Sequence, residues 1–100
     1  MRDAFDREQK ERLLRALLLA RDEEEMDRLL SDVCTIRELQ DMTQRLEVAR
    51  LLRQGLVYNE VGRLSGASSA TISRVNRCLQ HGAGGYPLVL ERLEEAEKKE

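Results

Sequence analysis

The sequence predicts an all-α fold of about six helices, and three observations carry that expectation. Leu, Ala, Glu and Arg dominate the chain, while aromatic residues make up only 3% (Phe5, Tyr58, Tyr86, no Trp), a composition that favours helices over strands. Apolar residues recur at spacings of three and four, the period of a helix face. No run alternates apolar with polar residues as a half-buried strand does, and glycines at 55, 66, 82, 84 and 85 punctuate the periodic segments.

Taken in order, Arg7 to Ala20 reads as a first helix whose second half, LLRALLLA, is apolar almost all round through Leu13, Leu14, Leu17, Leu18 and Leu19. A helix apolar on most faces needs neighbours on most faces, and a second copy of the chain supplies them most simply, so a homodimer is expected. Asp22 and Glu25 form a capping box that opens a short helix burying Met26, Leu29, Leu30 and Val33. Thr35 and Glu38 form a second box that opens a long helix to Arg53. Its apolar positions are Ile36, Leu39, Met42, Leu46, Ala49 and Leu52, and Gly55 stops it. Short helices follow over about Tyr58 to Leu64 and Ser69 to Gln80, with a turn at Gly66. HGAGG then breaks the chain, and Pro87 suits the first turn of a last helix. The expected organisation is one domain over 1–100, with dimerising helices in 1–34, a central helix in 35–54, a helix-turn-helix in 58–80 and a C-terminal helix in 86–98.

Charge and cysteine usage narrow the function. The net charge is −2, yet it is unevenly spread: residues 1–42 hold 8 basic against 12 acidic side chains, residues 43–82 hold 6 against 2, and residues 83–100 hold 3 against 5. The basic side chains of the middle third are all arginine (Arg45, Arg50, Arg53, Arg63, Arg74, Arg77), suited to forked contacts with phosphate or guanine. No segment approaches the roughly 20 apolar residues that span a bilayer, and the N-terminus lacks a signal-peptide core, so a cytoplasmic location is expected. Cys34 and Cys78 do not make a disulfide framework, and Cys78 with His81 is too sparse for a metal site, so no metal or other cofactor is expected. Nor is catalysis: His81 is the single histidine, and neither a phosphate-cradling loop nor a paired-carboxylate site stands out.

The segment YNEVGRLSGASSATISRVNRCLQ, from Tyr58, meets the local demands of two helices crossing through a tight turn. Val61 and Leu64 give the first helix a core face, Gly62 is small where the second must approach, Gly66 supplies a positive φ, and Ser68 caps the second helix. Ile72, Val75 and Leu79 form that helix's inward stripe, leaving Ser69, Ala70, Ser73, Arg74 and Arg77 outward. Small residues early in a recognition helix let its backbone approach base edges: Ala70 suits a thymine methyl, the serines suit base edges or bridging water, and Arg74 and Arg77 can reach guanine or phosphate. Arg53 and Arg63 suit the sugar-phosphate backbone, as do the amides beside Ser68. The expectation is a DNA-binding transcription regulator whose partner is double-stranded DNA.

GASSATISR, preceded by a short helix and by a long one ending LLRQG, resembles the helix-turn-helix of the Trp repressor superfamily. Together with TIRELQDMTQRLEVARLL it is closer still to the YerC/YecD-type branch, and the likeness runs in order over about residues 10 to 95. The resemblance implies an intertwined all-helical homodimer that represses from a near-palindromic operator with half-sites roughly 34 to 36 Å apart. It also implies a pocket for a tryptophan corepressor, where this sequence departs from the family. The arginine that meets the ligand carboxylate is matched by Arg74, but the glycine beneath the indole is Val75 and the second pocket arginine is Gln44. A valine where a ring should lie is a steric block, so binding without tryptophan is expected. Dependence on tryptophan or another small molecule, and a role as a protein-binding adaptor, stay open at this point.

Overall fold

The computed structural model describes residues 6–99, and the described chain is helical throughout with no strand. Six helices follow in order: α1 (Arg7–Leu19), α2 (Glu23–Val33), α3 (Ile36–Arg53), α4 (Tyr58–Ser65), α5 (Ser69–His81) and α6 (Gly85–Lys98). None is long and apolar enough to cross a membrane.

Local side-chain chemistry sets most boundaries. The Asp6 carboxylate accepts from the Gln9 amide at 3.2 Å and starts α1. Asp22 accepts from the Glu25 amide at 2.8 Å, while the Glu25 carboxylate reaches back to the amide of Arg21, one residue beyond the cap. Thr35 and Glu38 close the reciprocal box expected of them, at 3.0 and 2.8 Å. Gly55 (φ +90°) ends α3, since the left-handed region is cheap only for a residue without a Cβ.

Two compact units divide the chain, one ending at Leu39 and the other starting at Gln40. In the first, α1 and α2 bury no residue fully. Met26, Leu29 and Leu30 are half-buried, but Val33 is 56% exposed and so falls outside the face expected to be covered. On α1, Leu18 and Leu19 are 85% and 76% exposed. Leu18 and Leu19 therefore stay uncovered within a single chain, while Ala16, Leu17 and Ala20 are half-buried.

The second unit holds the core. Val48, Ala49 and Leu51 of α3, Val61 of α4, Ile72 and Val75 of α5 and Leu90 of α6 are buried together, ringed by Leu52, Leu56, Ala67, Leu79, Tyr86 and Leu93. Of the six α3 positions expected inside, Ala49 alone is fully buried, whereas Ile36, Met42 and Leu46 are exposed. The reason is that α3 is apolar on two faces: Val48 and Leu51 lie on the face that meets α4, α5 and α6, and spacing alone cannot say which face a chain covers with itself. Leu64 likewise is 50% exposed, leaving Val61 as the buried anchor of α4.

Beyond α5 the backbone turns at Gly82, where a Cβ would sit 2.3 Å from the Cys78 carbonyl oxygen, a clash that no side chain survives without backbone movement. Gly84 (φ +88°) then caps α6. This helix starts at Gly85, one residue before the sequence expectation, with Pro87 in its first turn, where the missing amide proton costs nothing. Gly82, by the space it leaves, and Gly84, by its positive φ, thus allow the chain to fold Leu90 back into the core beside α5.

Candidate nucleic-acid interface

Helices α4 and α5 form the expected helix-turn-helix, built by three residues in succession. Gly66 takes the left-handed conformation (φ +75°) and its amide donates to the Gly62 carbonyl at 2.9 Å, closing α4. The Ser65 hydroxyl donates back to the Val61 carbonyl and accepts from the Ala67 amide, tying the turn to both sides. Ser68 then caps α5, its hydroxyl oxygen accepting from the Thr71 amide at 3.2 Å. Gly62 is less critical than its position suggested. A Cβ there would meet Ala67 O at 3.5 Å and Ile72 Cδ1 at 3.6 Å, ordinary contact distances.

The inward face of α5 is as expected for Ile72 and Val75, each 2% exposed, while Leu79 packs at the rim of the core. Ser69, Ala70, Ser73, Arg74 and Arg77 are all exposed. They present one continuous face of small, polar and basic groups on the first two and a half turns of the helix.

The arginines of the basic middle third fall into two groups. Arg53 Nε donates to both oxygens of Glu94 on α6 at 3.1 and 3.2 Å. Arg63 is paired with Glu60 one turn earlier on α4, which holds the Glu60 carboxyl below its usual range through hydrogen bonding and charge. Arg50 is bound bidentately by Glu47 at 2.7 and 2.8 Å, with Glu97 adding a longer-range attraction. Among the described residues, Arg45, Arg74 and Arg77 have no carboxylate partner. Two of the arginines that the sequence placed on the DNA backbone, Arg53 and Arg63, are therefore already engaged, and two that it placed on the recognition face, Arg74 and Arg77, are free.

A small cavity of about 210 Å³ opens between α3, α5 and α6, lined by Arg45, Thr71, Arg74, Val75, Cys78 and Tyr86. Arg74 and Val75, two of the three residues that the resemblance sets at an effector pocket, line it. Gln44 does not: its side-chain amide donates to the Ser65 carbonyl at 3.3 Å, at the helix-turn-helix corner. Arg45 and Thr71 line the cavity although the sequence reading gave them no place there. The available signal was one of register, since Arg45 stands about 100° around the helix from Gln44. Burial, then the neighbouring Cys78, pushes the Tyr86 phenol above its ordinary range, so it stays a neutral wall. Tyr86 and Cys78 also line a second, apolar groove with Leu46, Ala83 and Val89.

The comparisons agree with this geometry. Residues 8–94 match the family described as Trp repressor protein. The Bacillus subtilis (strain 168) protein YerC is 47% identical over 87 residues, covering 87% of this chain and 84% of that protein. A solved structure from Staphylococcus aureus, named for the Trp repressor, superposes with a TM-score of 0.84 at 40% identity, covering 87% of each chain. A TrpR-like protein from Eubacterium eligens ATCC 27750 superposes with a TM-score of 0.81 at 46% identity, covering 84% of this chain and 87% of that one. The family match over residues 8–94, with relatives 40 to 47% identical along most of their length, places the chain in the Trp repressor family, in its YerC-like part.

Proposed function

We propose that the protein is a sequence-specific repressor that binds a near-palindromic operator as a homodimer and does so without tryptophan. The observation that carries the DNA-binding part is the exposed face of α5: small residues at its start, unpaired Arg74 and Arg77 further along, and no large apolar anchor of the kind a protein-binding face requires. Ser68, Ser69, Ala70 and Ser73 approach the base edges, directly or through water, and Arg74 and Arg77 supply charge at guanine or phosphate. Arg53 and Arg63 add phosphate contacts only when DNA displaces Glu94 and Glu60, so they contribute less.

The dimer rests on the exposed leucines of α1 and, separately, on exposed Met42 and Leu46 of α3, apolar groups that a second copy of the chain would cover. Independence from tryptophan rests on Val75, whose buried side chain stands where the resemblance sets a glycine beneath the indole. Val75 thereby takes the ligand's place, holding α5 against the central helix in a pose ready for DNA.

Selection of bound fragments from random duplex, at two salt concentrations and with and without tryptophan, tests the proposal. A two-fold symmetric site enriched without tryptophan supports it. Enrichment only with tryptophan overturns the effector-free part, and no enrichment in any condition overturns the DNA-binding reading in favour of an adaptor.

A further inference from the structure

We infer that Gln44 is a positioning residue for DNA binding: by bracing the corner of the helix-turn-helix from the central helix, it sets the angle at which the start of α5 meets a duplex. The inference rests on the DNA-binding reading above and adds to it a residue that itself touches no DNA.

Gln44 stands at the polar end of the buried face of α3. Val48 and Leu51 lie one and two turns further along the same stripe and are buried, while Gln44 is half-buried. Where that stripe leaves the core, the glutamine reaches the corner. Its Nε2 donates to the Ser65 carbonyl at 3.3 Å, and a Cβ added at Gly66 would lie 3.9 Å from the same nitrogen. The side chain therefore packs over both residues at which α4 ends.

From there a chain of hydrogen bonds leads to the reading face. The Gly66 amide donates to the Gly62 carbonyl at 2.9 Å, and the Ala67 amide donates to the Ser65 hydroxyl at 3.1 Å. That hydroxyl in turn donates to the Val61 carbonyl at 2.7 Å, and Ser68 accepts from the Thr71 amide at 3.2 Å. Of these ties, the one from Gln44 alone comes from outside the helix-turn-helix. The others fix the shape of the turn, and Gln44 fixes the turn against the central helix.

The start of α5 needs this brace because the core grips that helix late. Its buried residues are Ile72 and Val75, whereas Ser69 and Ala70, which approach the base edges, precede both and are exposed. Their placement is set by the corner. Hydrogen bonds weaken steeply with misalignment, so a loosened corner leaves α5 helical but spreads it over poses of which a fraction fits the groove. Apparent affinity falls by that fraction. Non-specific binding draws instead on phosphate charge, which Gln44 does not supply.

The test compares the wild type, Gln44→Met, Gln44→Ala and Arg77→Ala on two probes across a salt series: the duplex enriched by selection and a random-sequence duplex. Methionine keeps the length of glutamine without its donor. Gln44→Met should bind the selected duplex about fivefold more weakly per half-site, the factor that one net hydrogen bond carries. Its salt slope, its affinity for random duplex and its helicity by circular dichroism should stay those of the wild type. Gln44→Ala, which loses packing too, should lose more on the selected duplex and nothing on the random one. Arg77→Ala should lower the slope on both, the mark of a direct charged contact. Wild-type affinity of Gln44→Met for the selected duplex overturns the inference. So does an equal loss on both probes, which would reduce Gln44 to a contributor to folding. A wild type for which selection enriches no duplex overturns the DNA reading first, and the inference falls with it.

Discussion

Gln44 and Ser65 join the central helix to the corner of the helix-turn-helix: the Gln44 side-chain amide donates to the Ser65 carbonyl at 3.3 Å, half-buried. That carbonyl belongs to the last turn of α4, where no backbone amide four residues on is available to satisfy it. The contact thus does the work of a C-terminal cap from a helix distant in sequence. Gln44→Ala should cost about 1 kcal/mol, the net worth of one such hydrogen bond, with the loss concentrated at the corner. Chemical denaturation gives the first quantity, and faster amide exchange at residues 65–68 than elsewhere in α4 and α5 gives the second. A uniform loss across the unit would show that Gln44 acts by packing instead.

The glycines make opposite predictions although all look alike as helix breakers in the sequence. Gly62→Ala places its Cβ at ordinary contact distance inside a helix and should stabilise the protein by up to about 1 kcal/mol. Gly82→Ala drives a Cβ into the Cys78 carbonyl and should destabilise by several times that, roughly 3 kcal/mol or more, since α6 must detach from Leu90 inward. Urea denaturation of the two variants side by side measures both signs.

Those two glycines also show what the sequence could and could not reveal. Gly66 and Ser68 were legible because a tight turn and a cap each demand a residue type at one place, and the demand is local. The cap pairs Asp22 with Glu25 and Thr35 with Glu38 were legible for the same reason. The buried face of α3 was not, because Leu39, Met42 and Leu46 have the same spacing as a core stripe and only the packing of α4, α5 and α6 selects Val48 and Leu51. The partners of the arginines were equally hidden: Arg53 meets Glu94 across 41 positions of sequence, a distance that no local pattern encodes. Gln44 was read as a pocket residue by alignment with the family, while its side chain turns to Ser65 instead.

Exposed leucines on α1 should govern assembly and not the fold of the helix-turn-helix. Leu18 is 85% exposed in the single chain, so Leu18→Asp removes little from within that chain. In a dimer whose interface includes this helix, it buries a carboxylate without a partner at a cost of several kcal/mol. Sedimentation equilibrium should show the wild type as a dimer and the variant shifted toward monomer with helicity retained. An unshifted dimer would place the interface elsewhere.

Acid should weaken the α3 terminus in a defined direction. The Arg50 guanidinium, by hydrogen bond and charge, holds the Glu47 carboxyl below its ordinary 4.5, against a smaller opposing effect of burial. A lowered folded-state value means stability that is fully present above the unfolded-state value and lost as pH falls through the folded one. The pair is open to solvent on one side, its side chains 35% and 43% exposed, so screening keeps the effect small. The melting-temperature difference between wild type and Glu47→Gln should be constant from neutral pH down to about 4.5 and shrink below it.

Val75 is where stability and function separate most clearly. The side chain is buried against the α3 and α4 core and also floors the cavity that holds Arg45 and Arg74, so Val75→Gly removes packing, adds helix flexibility and enlarges the cavity at once. Loss of the buried methyls and the helix penalty of glycine together cost about 2 to 4 kcal/mol. If Val75 stands in for a ligand, DNA affinity should fall by more than the unfolded fraction explains, because α5 loses the contact that fixes its pose. Val75→Ala, with a smaller cavity and no glycine, should fall between. Added tryptophan separates two readings of Val75→Gly: it should not restore binding if the turn of Gln44 to the Ser65 carbonyl also closes the pocket, and should do so if Arg45, which lines the cavity with Arg74, serves as its second arginine. Fluorescence anisotropy of a labelled operator duplex, at a temperature where circular dichroism shows each variant fully folded, measures this. Rescue by tryptophan would mean that one substitution reopens an effector site, and that Val75 alone, not Gln44, closes it in the wild type.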